Sequence, residues 1–209
     1  DSARGGARTV LVERNGYLGG EAATGLPILV FYDQTGEQVM DGLPEEFVRR
    51  LTEIGGSMGH VSGEKGHTST MTPLYPEYVK YLAARMFLEA GGTLLLDTDL
   101  AGAETQGRKI KSIIVHNADG LTELPVKAVI DCTGNGDVIG PSGAAFNKGR
   151  AKDGKVQSMT LLFYLGGVDV DEARKHFAIE WYWGKRPNEA SRELIHFAGS
   201  LEKWRKQAP

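Results

Sequence analysis

The sequence predicts an α/β fold built on a parallel sheet, and three observations support this prediction. Residues 9–12 and 126–131 are continuous apolar runs, typical of parallel strands buried on both faces. Apolar side chains recur at three- and four-residue steps through residues 75–90, which predicts an amphipathic helix. Turn-forming residues divide the segment 93–125, which predicts a small antiparallel excursion. This order fits an interrupted α/β domain better than a regular alternation of strands and helices.

The remaining elements follow from local signals. Pro44 marks the start of a short helix whose apolar face extends to Ile54. Residues 57–72 are rich in Gly, Ser, Thr and His, and we expect a long loop there. We expect a strand over residues 159–165 and an amphipathic helix over residues 190–204.

The composition excludes several classes of protein. The 24 Lys and Arg residues and 27 Asp and Glu residues give a net charge of −3 without any basic run, so no nucleic-acid partner is expected. No apolar run approaches the roughly 18 residues that cross a bilayer, so no membrane partner is expected. The single cysteine, Cys132, excludes an internal disulfide framework and fits a cytoplasmic protein. Because a redox disulfide needs a second cysteine, we interpret Cys132 as a small buried residue.

The first apolar run ends on an acid, Glu13, and a glycine-rich segment follows over residues 15–20. In dinucleotide-binding βαβ units, an acid at the end of the second strand binds a ribose about 20 residues after a glycine loop. On this interpretation the glycine loop falls before residue 1. Glycines after the acid let backbone N–H groups approach a diphosphate, because glycine has no Cβ. The alternative is that Glu13 is a solvated charge at the end of a strand.

Two other patterns carry less information. Residues 134–140 also place glycines after a strand, but no acid-ended strand follows about 20 residues later, which disfavours a dinucleotide fingerprint there. His60 and His67 lie in a glycine-rich loop without a nearby cysteine, so no metal site is predicted. We interpret them as surface histidines, with histidines facing a substrate pocket as the alternative.

Two segments resemble a known family. Residues 10–20, Val-Leu-Val-Glu-Arg-Asn-Gly-Tyr-Leu-Gly-Gly, resemble the segment after the glycine loop in FAD-dependent oxidoreductases of the glutathione-reductase-like superfamily. Residues 130–137, Ile-Asp-Cys-Thr-Gly-Asn-Gly-Asp, are similar to the second signature of that family, Asp-x-Thr-Gly-x-Gly-Asp after a strand. The resemblance implies a Rossmann-type FAD-binding domain with part of a second, substrate-side domain. It also implies truncation at both ends, because the family's Gly-x-Gly-x-x-Gly and its closing C-terminal segment are not in the sequence.

The resemblance implies roles for individual residues. Glu13 would bind the adenosine ribose, Arg14 would lie beside the adenine, and the backbone of Leu100 would meet the adenine edge. Six residues would line the diphosphate and the adjoining ribityl chain: Gly19, Gly20, Thr24, Thr133, Gly134 and Asp137. If both apolar runs are strands of one parallel sheet, Glu13 and Thr133 lie at its carboxyl edge. No catalytic residue and no metal ligand is assigned.

The predicted function is FAD-dependent oxidation or reduction of a small organic substrate by hydride transfer to or from the flavin. We expect residues 1–30 and 70–140 to form part of the FAD-binding domain, and residues 31–69 and 141–209 to form the insertion and substrate-side region. Two alternatives stay open: an NAD-dependent Rossmann dehydrogenase in which Glu13 selects NAD, and a non-catalytic, cofactor-free module of the same fold. The expected partner is the small-molecule substrate, and a homo-oligomer is left open.

Overall fold

The computed structural model describes residues 1–29, 31–62, 70–157, 159–162, 166–169 and 172. The chain divides into two compact units. The first unit consists of Asp1–Tyr17 and Phe87–Leu161, and the second of Leu18–Met86 and Leu162–Pro209. The division of the chain into a FAD-binding region and a substrate-side region stays a prediction.

The described elements, in chain order, are β1 (Val10–Val12), a 3-10 helix (Gly20–Thr24), β2 (Ile28–Leu29), α1 (Leu43–Glu53), β3 (Val61–Ser62), β4 (Thr70–Thr72), α2 (Pro76–Glu89), β5 (Thr93–Leu95), β6 (Asp99–Gln106), β7 (Lys109–Asn117), β8 (Gly120–Pro125) and α3 (Ile139–Ser142).

A parallel strand pair lies in the first unit. β1 pairs with β5 in a register that places Val10 opposite Thr93. The Glu13 N–H donates to the Leu95 carbonyl at 2.9 Å, and the Thr98 N–H donates to the Glu13 carbonyl at 3.0 Å. The predicted parallel sheet is therefore confirmed, and backbone bonds on both sides of Glu13 fix the acid at its end.

The strand predicted over residues 126–131 is wrong. No strand in the described part of the chain pairs with this run, although the Val126 N–H donates to the Lys111 carbonyl at 2.9 Å. Ile130, the last apolar residue of the run, is 74% exposed. An apolar, β-branched run forms a strand only where a neighbouring strand supplies hydrogen-bond partners. Composition alone was therefore an insufficient signal here.

The predicted antiparallel excursion is confirmed as a three-stranded sheet in the order β6-β7-β8. Tight turns follow β6 and β7, and each has a glycine at positive φ, Gly107 at 60° and Gly120 at 99°. The central strand β7 buries Ile113 and Val115, as expected for a strand with partners on both edges. The short helix α3 packs against β6.

The second unit contains α1 and most of α2, and the predictions of these two helices are confirmed. α2 places Val79, Leu82 and Met86 on one buried face, at the three- and four-residue steps that the sequence shows. The antiparallel sheet β2-β4-β3 belongs to the same unit. The buried core cluster of this unit consists of Ala23, Leu51, Leu74, Val79, Leu82 and Met86.

Other segments differ from the prediction or lie outside the described residues. The loop predicted over residues 57–72 contains β3 and β4, which pair with Val61 opposite Met71. Strands of two and three residues are too short to show an alternating pattern. Residues 159–162 contain no strand, and the other residues of the predicted strand and of the predicted helix at 190–204 lie outside the described ranges. Within those ranges, no helix has both the length and the apolar character needed to cross a bilayer.

Candidate cofactor-binding site

Glu13 follows β1 and is half-buried. Its Oε1 accepts two hydrogen bonds at 2.8 Å, one from the Asn15 N–H and one from the Asn15 amide Nδ2. Its Oε2 has no hydrogen-bond partner among the described residues. The local turn therefore uses one carboxylate oxygen and leaves the other to accept hydrogen bonds from a ligand hydroxyl.

Arg14 connects the two signature segments. Its guanidinium donates to Asp137 Oδ2 at 2.5 Å, and its Nε lies 3.9 Å from Asp99 Oδ1. Arg14 and Asp137 are 123 residues apart in sequence. The end of β1 and the glycine loop around residue 134 are thus neighbours in the first unit, as the resemblance requires. Asp137, which the resemblance placed near the diphosphate, has its charge balanced by Arg14.

The loop over residues 131–138 is closed by its own side chains. The Asp131 carboxylate accepts from the Thr133 N–H at 3.0 Å, from the Thr133 hydroxyl at 2.7 Å and from the Val138 N–H at 2.9 Å. Thr133 Oγ1 in turn accepts from the Asp137 N–H at 2.8 Å. The Thr133 backbone and hydroxyl donors, followed by the Val138 N–H, hold the pKa of Asp131 below its ordinary value of 3.8.

Three successive backbone N–H groups in this loop have no acceptor among the described residues: those of Gly134, Asn135 and Gly136. Gly134 has a φ of 74°, and no atom lies within 4 Å of the position that a Cβ would occupy. Successive N–H groups bind anions where the backbone turns them to one side. With the free Glu13 oxygen, the first unit offers donors for a diphosphate and an acceptor for a ribose, and these groups fit a dinucleotide cofactor.

Leu100 lies near the start of β6, opposite Val115 on β7. The strand is irregular between Leu100 and Gly102, where the pairing register shifts. A β-bulge locally disrupts the ladder of backbone hydrogen bonds. This is compatible with the implied use of the Leu100 backbone at an adenine edge, which stays a prediction.

Comparison with known proteins gives the family. Residues 1–208 match the family described as FAD dependent oxidoreductase. The chain belongs to this family. FAD is the cofactor of its members, and FAD binding is the role that the donor set of the first unit fits.

The solved structures that are similar to this chain are distant. THI4 of Thermovibrio ammonificans has 16% identity and a TM-score of 0.43, covering 66% of this chain and 53% of that chain. CabE, an aromatic hydroxylase from angucycline biosynthesis, has 16% identity and a TM-score of 0.46, covering 68% of this chain and 29% of that chain. Aklavinone-11 hydroxylase, in a ternary complex with FAD and aklavinone, has 13% identity and a TM-score of 0.29, covering 59% and 28%. The chain thus spans about half or less of the length of these proteins. No curated protein matches the sequence.

Three of the predicted site residues lie in the second unit, where the structure gives them local roles. Gly19 has a φ of 126°, and a Cβ there would lie 2.8 Å from Ala23 Cβ and 2.9 Å from Val79 Cγ1. Gly20 has a φ of 50° with open space around it, and the Thr24 hydroxyl donates to the Glu21 carbonyl at 2.6 Å. Packing against α2 thus accounts for Gly19, and the roles of all three toward the cofactor stay predictions.

Two residues of the 131–138 loop differ from the sequence interpretation. Cys132 is exposed, whereas the sequence predicted a buried residue. The hydrogen bonds that close the loop join its two neighbours, Asp131 and Thr133. Asp131 was not among the predicted site residues. The signal was present, since Asp followed two positions later by Thr favours a turn in which the carboxylate caps backbone N–H groups.

A separate polar cluster surrounds His60 in the second unit. His60 Nε2 lies 3.0 Å from Glu45 Oε2, and His60 Nδ1 lies 2.7 Å from Thr72 Oγ1. The ring of Phe31 packs against the imidazole at a centroid distance of 4.4 Å. Both ring nitrogens are therefore occupied within the protein. The interpretation of His60 as a surface histidine is wrong, and His67 lies outside the described residues. No group of three potential metal ligands occurs in the described ranges.

Proposed function

We propose that this chain carries the FAD-binding core of an oxidoreductase that transfers a hydride between the flavin and a small organic molecule. The observation that carries the proposal is the ion pair between Arg14 and Asp137, because it joins the acid-ended strand to the glycine loop in one unit. Ligands of open α/β sheets bind outside the carboxyl ends of the strands, and Glu13 lies at such an end, directly after β1. Membership of the FAD-dependent family supports the identity of the cofactor.

In this proposal each part of the site binds a different part of the cofactor. The free Oε2 of Glu13 accepts hydrogen bonds from the ribose hydroxyls. The N–H groups of Gly134, Asn135 and Gly136 donate to the diphosphate, whose oxygens only accept. Arg14 lowers the electrostatic cost of placing a diphosphate beside Asp137, because it balances the charge of that carboxylate.

The chemistry of the reaction belongs to the cofactor. When bound, FAD supplies the hydride transfer, while the protein binds it, orients it and tunes its environment. The residues proposed here act in binding. The substrate is proposed only by class, a small organic molecule, and a cytoplasmic location stays a prediction that rests on the single cysteine.

A visible spectrum of the purified intact protein tests the proposal, together with mass spectrometry of any ligand released on denaturation. We expect the spectrum of an oxidised flavin, its bleaching by dithionite and the release of FAD. Release of NAD would support the dehydrogenase alternative instead. A colourless protein that does not take up added FAD would support the cofactor-free module and refute the proposal.

A further inference from the structure

The turn Asp131-Cys132-Thr133-Gly134 has a counterpart elsewhere in the chain, Asp33-Gln34-Thr35-Gly36. In the second unit, Asp33 Oδ1 accepts from the Thr35 N–H at 2.8 Å and from the Thr35 hydroxyl at 2.7 Å. The corresponding bonds of Asp131 are 3.0 and 2.7 Å. The two turns are therefore built alike, but only the turn at Asp131 leads into the candidate site.

The two turns differ in how far the carboxylate reaches along the chain. Asp131 uses its second oxygen to accept from the Val138 N–H, seven residues further on. Thr133 adds a link inside this span, because its Oγ1 accepts from the Asp137 N–H. The N–H groups of Thr133, Asp137 and Val138 are thus hydrogen-bonded. They flank the N–H groups of residues 134–136, which donate to no described residue.

We infer that Asp131 is a positioning residue for the proposed diphosphate site and that Thr133 is the link through which it acts. The inference rests on the proposed function. The Asp131 carboxylate draws the flanking N–H groups and the Thr133 hydroxyl inward. The backbone between them is then held with the N–H groups of Gly134, Asn135 and Gly136 available to an anion.

The number of protons on its hydroxyl narrows the role of Thr133, which the resemblance places beside the diphosphate. A threonine hydroxyl has one proton to donate, and that of Thr133 goes to Asp131. A phosphate oxygen in the FAD diphosphate accepts hydrogen bonds and has none to donate. Thr133 therefore supports the loop and does not donate to the phosphate, because donation would break its bond to Asp131.

The test compares Asp131→Asn with the matched control Asp33→Asn in the intact protein, by titration of the apo-protein with FAD and by apo-protein melting. Asparagine keeps the size of aspartate, but an amide nitrogen replaces one of the two acceptor oxygens and cannot accept a hydrogen bond. We expect Asp131→Asn to weaken FAD binding about tenfold to a hundredfold, the range for losing charged hydrogen bonds, and Asp33→Asn to leave it unchanged. Apo-protein melting should fall slightly in Asp131→Asn, which loses the bond from Val138, and less in Asp33→Asn, because an amide oxygen can keep the three bonds that Asp33 Oδ1 accepts.

Thr133 provides the second comparison, which remains readable if Asp131→Asn folds poorly. Thr133→Ser keeps the hydroxyl and should bind FAD like the wild type, whereas Thr133→Val should weaken binding. Adding Thr133→Val to Asp131→Asn should cost little more than Asp131→Asn alone, because either change opens the same loop. Equal FAD affinity in Asp131→Asn and Asp33→Asn, or full additivity with Thr133→Val, would overturn the inference while leaving the proposed function intact. A wild type that binds no FAD would overturn both.

Discussion

The guanidinium of Arg14 donates a hydrogen bond to the Asp137 carboxylate at 2.5 Å, across 123 residues of sequence. The side chains are 53% and 31% exposed, so the pair lies at the surface, where an ion pair contributes about 0–1 kcal/mol to stability. Its importance is therefore expected in ligand binding rather than in folding, because it sets the distance between the end of β1 and the loop over residues 131–138.

The first prediction is a double-mutant cycle on this pair. Arg14→Gln and Asp137→Asn should each weaken FAD binding several-fold, and the double variant should lose less than the product of the two effects, because contacting residues couple by about 0.5–3 kcal/mol. Isothermal titration of the apo-protein with FAD measures the four affinities. Arg108→Gln, in an exposed turn, is the control for loss of a positive charge. Strict additivity would mean that Arg14 contacts the cofactor independently of Asp137.

The second prediction concerns Glu13→Gln. Glutamine can keep Oε1 bonded to Asn15 while replacing the free Oε2 with an amide nitrogen, so the local turn should survive. FAD affinity should fall about tenfold to a hundredfold, since bonds from ribose hydroxyls to a carboxylate are charge-assisted at about 1.5–3 kcal/mol.

Glu104→Gln is the matched control for Glu13→Gln, because it removes an exposed acid from β6 in the same unit. It should bind FAD like the wild type. Flavin retention after dialysis and apo-protein melting are measured side by side for both variants. A Glu13→Gln protein that keeps its full flavin content would establish the alternative in which Glu13 only ends a strand.

The parts of the site that the sequence predicts are those whose signals are local. Glu13 directly follows an apolar strand, and the turn residues around Gly107 and Gly120 delimit a hairpin, so both could be predicted by inspection. The bond from Arg14 to Asp137 could not, because nothing near either residue in the sequence points to the other.

The errors also have physical causes. The run at 126–131 has the composition of a strand, but pairing is a property of two segments and one segment alone does not fix it. β3 and β4 have two and three residues, too few for an alternating pattern to be recognised. Asp131 has a local turn signal, but its bond to the Val138 N–H spans seven residues and has no sequence signal.

The third prediction separates packing from binding at two adjacent glycines. Gly19→Ala places a Cβ 2.8 Å from Ala23 Cβ and 2.9 Å from Val79 Cγ1, and overpacking of this kind costs about 1–3 kcal/mol in addition to the strain of a φ of 126°. Gly20→Ala meets no atom within 4 Å and should cost only about 1 kcal/mol, for its positive φ. Urea denaturation of the two apo-proteins measures the difference. Equal losses would show that contact with Ala23 and Val79 does not decide the need for glycine at position 19.

The fourth prediction is a pH dependence. Hydrogen bonds from Thr133 and Val138 hold the pKa of Asp131 below its ordinary value of 3.8 in the folded protein. A group with a depressed folded pKa stabilises the protein above its unfolded pKa, and this contribution is lost as the pH falls through the folded pKa. The melting temperatures of wild type and Asp131→Asn should therefore differ by a constant amount above about pH 5 and converge below it. A gap that persists to the lowest pH at which the protein folds would mean that the ionised carboxylate is not what closes the loop.

The last prediction concerns His60, whose two ring nitrogens contact Glu45 and Thr72. His60→Ala leaves the hydroxyl of Thr72, a fully buried residue, without its partner, and an unsatisfied buried group costs about 1–3 kcal/mol. The free energy of unfolding in urea should fall by that amount, while FAD affinity stays at the wild-type value. His116→Ala, at an exposed position of β7, is the control and should change neither quantity. A His60→Ala protein of unchanged stability that binds FAD but no longer reduces it with substrate would instead place His60 at the substrate, which is the pocket-facing alternative.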